Sequence, residues 1–178
     1  PLAELMNWRI TEIIEDQHGI IWAGSFLGAY YHTKHDLHDT DFHLIEDTIL
    51  RISYVWSICE DPEGTVWFGT QGQGLFRLYP ENRDPMVFTR YLHDPEDPTS
   101  LSSDFVKSVY TAMDGTLWIG TNNGLNRYQR ESDRFERFHY EQGLMADMIY
   151  SMQEDEHGNL WLLTDQGIVL FNTQAEQG

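Results

Sequence analysis

Hydrophobic and polar positions alternate along most of this chain in short runs, each broken by a glycine-bearing turn. In one run Val55, Ser57 and Cys59 alternate with Trp56, Ile58 and Glu60, and an earlier run carries Ile10, Glu12 and Ile14 on one face. A period of two with β-branched residues predicts strands. No segment keeps apolar residues at helical spacing for three turns, and glycine recurs too often for long helices. The pattern predicts an all-β chain.

The strands recur in a fixed order. Trp22, Trp67, Trp118 and Trp161 occupy the same local phrase, spaced by 45, 51 and 43 residues. An alternating strand leads into an Asp-x-x-Gly turn at residues 16–19, 61–64 and 155–158, while the third copy reads Ala112-Met113-Asp114-Gly115. Asp accepts hydrogen bonds from the turn backbone and Gly takes the positive φ, so each phrase predicts a hairpin. A short strand follows with Trp at its centre and, in three copies, Gly24, Gly69 or Gly120 two residues on. Third strands are expected at residues 74–78, 124–128 and 167–171, and aromatic-rich fourth strands at 41–45, 87–91 and 135–140. The fourth copy stops before its fourth strand. Four antiparallel strands per repeat of this length predict a β-propeller blade. The expected blades are residues 7–49, 50–100, 101–143 and 144–178 of a single propeller segment. The repeated Trp is expected to fill the gap between splayed sheets, with the nearby Gly leaving room for a neighbour's ring. Trp8 and Trp56 lie outside the phrase.

The phrase resembles the two-component regulator propeller repeat. Residues 115–128, Gly-Thr-Leu-Trp-Ile-Gly-Thr-Asn-Asn-Gly-Leu-Asn-Arg-Tyr, are similar to it almost residue for residue. The lead-ins Leu101-Ser102-Ser103-Asp104-Phe105-Val106 and Leu144-Met145-Ala146-Asp147-Met148-Ile149 resemble the family's approach to the inner strand, with weaker versions at 5–10 and 50–55. Ala112 for the turn Asp and Leu163 for the Gly depart from the pattern. The resemblance implies the extracytoplasmic sensor propeller of a hybrid histidine kinase or related diguanylate cyclase. It also implies a larger, seven-bladed parent domain, a periplasmic location and a ligand such as a carbohydrate breakdown product. No kinase, phosphoacceptor or nucleotide motif is present in the sequence.

Composition narrows the partners. Eleven Lys and Arg against 29 Asp and Glu give a net charge of −18, which argues against nucleic acid and against anionic membrane surfaces. One cysteine, Cys59, excludes an internal disulfide framework and a Cys-based zinc site. No apolar run is long enough to span a bilayer. The chain begins Pro-Leu-Ala-Glu and shows no signal peptide, which fits a piece of a longer polypeptide.

Several stretches could carry chemistry. His32, His35, His38 and His43 lie close together with Asp36, Asp39 and Asp41, a set that could bind zinc or nickel if a helix ordered it. A solvated hairpin loop is the expectation, and no metal or cofactor site is assigned. Asp16, Asp61, Glu63, Asp114, Asp155 and Glu156 lack a calcium-loop pattern and read as turn residues. The Pro-rich acidic segment 93–100 reads as a rim loop, a place where partner contacts concentrate. No catalytic phrase appears, so an enzyme such as a streptogramin-lyase-like propeller ranks below a recognition module.

Propeller ligands usually sit on the face formed by the loops that lead into inner strands and those joining second to third strands. Those loops carry Arg9, Tyr54, Lys107 and Tyr150, then Phe26, Gln71, Gln73, Asn122, Asn123, Asp165 and Gln166. Amides, carboxylates and aromatic planes suit sugar hydroxyls and ring faces. The expected partner is a carbohydrate or other small ligand. A protein-interaction scaffold without a small ligand is the alternative, and a homo-oligomer is compatible with both.

Overall fold

The computed structural model describes residues 9–33, 41–139, 144 and 146–173. Blade one holds β1 (Ile10–Glu15), β2 (Ile20–Ser25), β3 (Gly28–Thr33) and β4 (His43–Leu44). Blade two holds β5 (Val55–Glu60), β6 (Val66–Thr70), β7 (Leu75–Arg83) and β8 (Met86–Tyr91). Blade three holds β9 (Val106–Thr111), β10 (Leu117–Thr121), β11 (Gly124–Gln129) and β12 (Arg134–Phe138). Blade four has three strands among the described residues, β13 (Ile149–Glu154), β14 (Leu160–Thr164) and β15 (Gly167–Phe171). Every sheet is an antiparallel meander in chain order. Inner strands lie side by side, β1 against β5, β5 against β9 and β9 against β13. The fold is the expected β-propeller.

The Asp-x-x-Gly turns form as the residue types require. Asp16 Oδ1 accepts from the amides of His18 and Ile20, both at 2.9 Å, and Gly19 sits at φ 76°. The carboxylate does a second job. Its Oδ2 accepts from Trp22 Nε1 at 2.8 Å, and the pairs Trp67–Asp61 and Trp161–Asp155 repeat the bond at 3.0 and 3.1 Å. The first residue of the repeat turn thus satisfies the one polar atom of an otherwise apolar ring. Ala112 keeps the backbone turn, with Gly115 N donating to Ala112 O at 2.9 Å, but offers no carboxylate to Trp118. A cleft of about 690 Å³ lined by Ala112, Trp118, Glu154 and Thr173 opens there.

The core is three layers, each between successive blades. Trp22 meets Phe68 of blade two edge-on at 5.7 Å, Trp67 meets Tyr128 of blade three at 4.9 Å, and Trp118 meets Phe171 of blade four at 5.6 Å. These three Trp are buried, as expected for gap-filling rings. The small residue two positions on serves a different neighbour from the one expected. A Cβ on Gly69 would fall 2.7 Å from Val106 Cγ1, one on Gly120 2.7 Å from Ile149 Cγ2, and one on Gly24 3.0 Å from Val55 Cγ1. The space is taken by the first aliphatic residue of the next inner strand, not by an aromatic ring. Inner strands converge more tightly than outer ones, so close backbone approach is needed there.

Blade four breaks both rules. Leu163 stands at the glycine position and is half exposed, and Trp161 is 45% exposed on the same face as Ile168 and Leu170. Among the described residues nothing covers this face.

Candidate ligand-binding face

Each inner strand opens with an irregularity at the same point. Val55 pairs with Thr70 and Ser57 with Gly69, which leaves Trp56 as an extra residue. Lys107 is left over in the same way between Val106 and Ser108, Tyr150 between Ile149 and Ser151, and Thr11 between Ile10 and Glu12. A bulge frees one residue from the ladder and re-aims its side chain, and such bulges recur beside functional sites. Here four of them sit in register across four inner strands.

The freed side chains meet across blade boundaries. Lys107 Nζ lies 4.7 Å from the ring centroid of Trp56 in blade two and 5.6 Å from that of Tyr150 in blade four. Trp56 lies 4.5 Å from Tyr54, which lies 3.8 Å from Phe26 in blade one, and the Arg9 guanidinium sits 5.3 Å over Phe26. The result is a continuous row, Arg9, Phe26, Tyr54, Trp56, Lys107, Tyr150. Phe26 comes from the β2–β3 turn, Arg9 and Tyr54 from lead-ins, and the remaining three from bulges. Burial raises the pKa of the Tyr54 hydroxyl while the nearby Arg9 charge pulls it down.

Five of the eleven residues named from sequence therefore lie in one row. Trp56, at its centre, is the residue that sequence reasoning set aside as outside the repeat phrase. Aligning the inner strands would have found it, because Val55-Trp56-Ser57 stands where Val106-Lys107-Ser108 and Ile149-Tyr150-Ser151 stand.

The other six lie on the β2–β3-type turns, and their polar groups largely hold those turns together. Gln73 Oε1 accepts from Arg90 at 2.6 Å, and Asn123 Nδ2 donates to Ser102 O at 3.1 Å. Asp165 Oδ2 accepts from Gln166 at 3.0 Å and its Oδ1 from the Met148 amide at 3.4 Å. The amides of Gln71 and Asn122 donate to Tyr54 O at 2.9 Å and Phe105 O at 3.1 Å. Those two bonds tie each turn to the lead-in beside the row.

The remaining candidates take structural places. His32 Nδ1 lies 3.0 Å from Asp41 O and His43 packs on Tyr31, while His35 and His38 lie outside the described residues. Among the described residues no cluster of three or more His, Cys, Asp or Glu could hold a metal. The segment 93–100 lies along β12. Arg137 donates to the carbonyls of Ser100 and Asp97 at 2.7 and 2.8 Å, Phe135 N to Thr99 O at 2.8 Å, and Arg134 pairs with Asp97.

This geometry defines a β-propeller whose half-buried aromatic and cationic row, exposed at its two ends, crosses successive blades where their inner strands begin. Three of its repeats, residues 49–72, 100–123 and 143–166, match the two-component regulator propeller. The chain is similar to a histidine kinase of Formosa agariphila, 33% identical, with the match covering 96% of this chain and 16% of that protein. Among solved structures it is similar to the extracellular domain of a Bacteroides thetaiotaomicron protein described as a hybrid two-component system. That domain is 19% identical with a TM-score of 0.73, over 93% of this chain and 25% of the other. A second extracellular domain from the same organism, described as a one-component system, is 25% identical with a TM-score of 0.69, over 90% and 21%. The chain thus spans about a sixth of the curated relative and a quarter or less of the two solved domains. Among the described residues no helix is long and apolar enough to cross a membrane.

Proposed function

We propose that this chain is part of an extracytoplasmic, periplasmic sensor propeller of a bacterial signalling protein. It recognises a small ligand, a carbohydrate in the first instance, without transforming it. The observation that carries the reading is the row from Arg9 to Tyr150. Three aromatic planes in succession, flanked by cations and left accessible, suit a sugar ring better than they suit a core. The likeness to extracellular domains of two-component systems supports the location, and the exposed face of blade four supports a larger parent propeller with a further blade packed there. Binding would stabilise one arrangement of blades or protomers over another and so bias a distant output. Calorimetric titration of the chain with a panel of plant and algal oligosaccharides is the test. A saturable heat that Trp56→Ala abolishes is expected, and no binding by any saccharide would overturn the reading.

The alternative is a scaffold that binds protein only. Trp161, Leu163, Ile168 and Leu170, 45–71% exposed on one face, favour it as a contact for another chain. Light scattering that showed a tight dimer, together with an empty saccharide screen, would select this reading.

A further inference from the structure

The row contains two cations that meet only ring faces among the described residues, Arg9 over Phe26 and Lys107 between Trp56 and Tyr150. Six arginines pair with carboxylates: Arg51 with Glu46, Arg77 with Asp133, Arg83 with Asp16, Arg127 with Glu136, Arg130 with Asp61 and Glu63, Arg134 with Asp97. Lys107 has none of these. Among the described residues its ammonium touches only the faces of Trp56 and Tyr150. Ring faces attract a cation but accept little hydrogen bonding, so the three N–H donors of the ammonium remain to be satisfied. In a chain with 29 acids to 11 bases, a central cation without a carboxylate is a departure from the average, not its consequence.

Acids of β1, of the β9 lead-in and of the β14–β15 turn bond to other groups. Glu12 Oε2 accepts from the Ile58 amide, Asp104 Oδ1 from the His93 amide at 2.7 Å, and Asp165 from Met148 and Gln166. The bulge holds the backbone of Lys107 in β9, which adjoins β5 and β13, and the side-chain stem carries the ammonium from there to the rings of both neighbouring blades.

We propose that Lys107 is the anion-binding centre of this face, and that the ligand is a saccharide bearing a carboxylate or sulfate beside a flat ring face. The inference rests on the ligand-recognition reading above and names its chemical class. The acidic group would reach the ammonium between Trp56 and Tyr150, and sugar C–H groups would pack against the parts of those two rings that the ammonium and Tyr54 leave open. A charge-assisted bond there is stronger than any a neutral hydroxyl could make. Arg9, three rings along the row, offers a second cation to a longer acidic oligomer. The negative charge of the chain as a whole then slows and screens the approach of such ligands without cancelling the short-range site.

The test compares three disaccharides by calorimetry on the 178-residue chain: digalacturonic acid, a sulfated neocarrabiose and neutral cellobiose. Wild type is expected to bind the uronate or the sulfate ester at least about tenfold more tightly than cellobiose, and which of the two wins identifies the acidic group. Lys107→Gln is expected to erase that preference with no change in melting temperature, and raising salt is expected to weaken the anionic ligand alone. Trp56→Ala is expected to lower affinity for all three. Equal affinity of wild type and Lys107→Gln for the acidic sugar, or a preference of wild type for cellobiose, overturns the inference while leaving the wider reading standing. No binding by any of the three overturns the inference, and the broader oligosaccharide panel then decides whether the reading falls too.

Discussion

Arg83 of blade two donates from Nη1 to Oδ2 of Asp16 in blade one at 2.7 Å, on the same oxygen that accepts from Trp22 Nε1. The Asp16 side chain is fully buried. Turn, ring and neighbouring blade therefore close on one carboxylate. Removing it by Asp16→Ala leaves a buried guanidinium and an indole N–H without their acceptor, so a loss of about 3 kcal/mol is expected in urea unfolding. Asp155→Ala should cost less, because no arginine reaches that carboxylate among the described residues and Trp161 is open to water.

Asp16 also sets an acid dependence. Burial pushes its carboxyl up, but hydrogen bonds from Trp22 and the Ile20 amide, with the Arg83 charge, outweigh burial and leave the pKa below its ordinary value near 3.8. A depressed carboxyl contributes stability that is present above its unfolded pKa and is lost as pH falls through the folded one. Unfolding free energy should therefore decline as pH drops below about 4, and Asp16→Asn should flatten that decline. Unfolding midpoints measured from pH 6 down to 3 check it.

The blade two to blade three joint predicts an alkaline limit. Buried Arg77 donates from Nη1 to Tyr128 Oη at 2.6 Å and to Asp133 Oδ1 at 2.8 Å. Tyr91 and Tyr128 donate their hydroxyls to that same carboxylate oxygen at 2.6 and 2.7 Å. Burial and the hydrogen bond to Asp133 push the Tyr128 hydroxyl up to about 12, and Tyr91 rises for the same reasons. A raised phenol favours the neutral form in the fold, so its stabilisation is full below pH 10 and disappears as pH climbs through about 12. Tyr128→Phe should lose stability at pH 7 but show a shallower fall above pH 10, followed by tyrosinate absorbance and intrinsic fluorescence together.

Close approach at the inner strands gives a fourth expectation. A methyl on Gly120 would stand 2.5 Å from Ser108 Oγ and 2.7 Å from Ile149 Cγ2. Gly120→Ala should cost about 1–3 kcal/mol by forcing blades three and four apart. Its backbone is not in the left-handed region, so the cost reads the contact alone. Leu163→Ala, at the corresponding but uncovered place, should change the thermal midpoint little.

The repeat made the fold legible. A Trp recurring every 43–51 residues behind a hairpin turn leaves little choice of architecture. Five of the six residues of the binding row were legible as well, because lead-ins and turns can be placed by counting. Trp56 was not, since a bulge is invisible in an alternating pattern: one extra residue looks like the next in the series. The neighbour of Gly24, Gly69 and Gly120 was misjudged for a related reason. Sequence spacing tells which residues share a blade, whereas the Val55, Val106 and Ile149 side chains that fill those spaces belong to the blade after. The double use of Asp16 and Asp61, as turn acceptor and as partner to Trp and Arg, needed the third dimension too.

Leu163 has a geometric consequence of its own. The angular step between successive blades is set where a glycine lets the following inner strand touch its backbone, and that step is shared by Gly24, Gly69 and Gly120. A leucine at the fourth station adds the thickness of a side chain at the narrow end of the wedge. Any sheet laid against blade four is held further off near the hub than at the circumference, so the angle there must be smaller than at the other three joints. Rotational symmetry is broken at a known residue, and a lopsided ring or a join to a different kind of surface is the shape that follows.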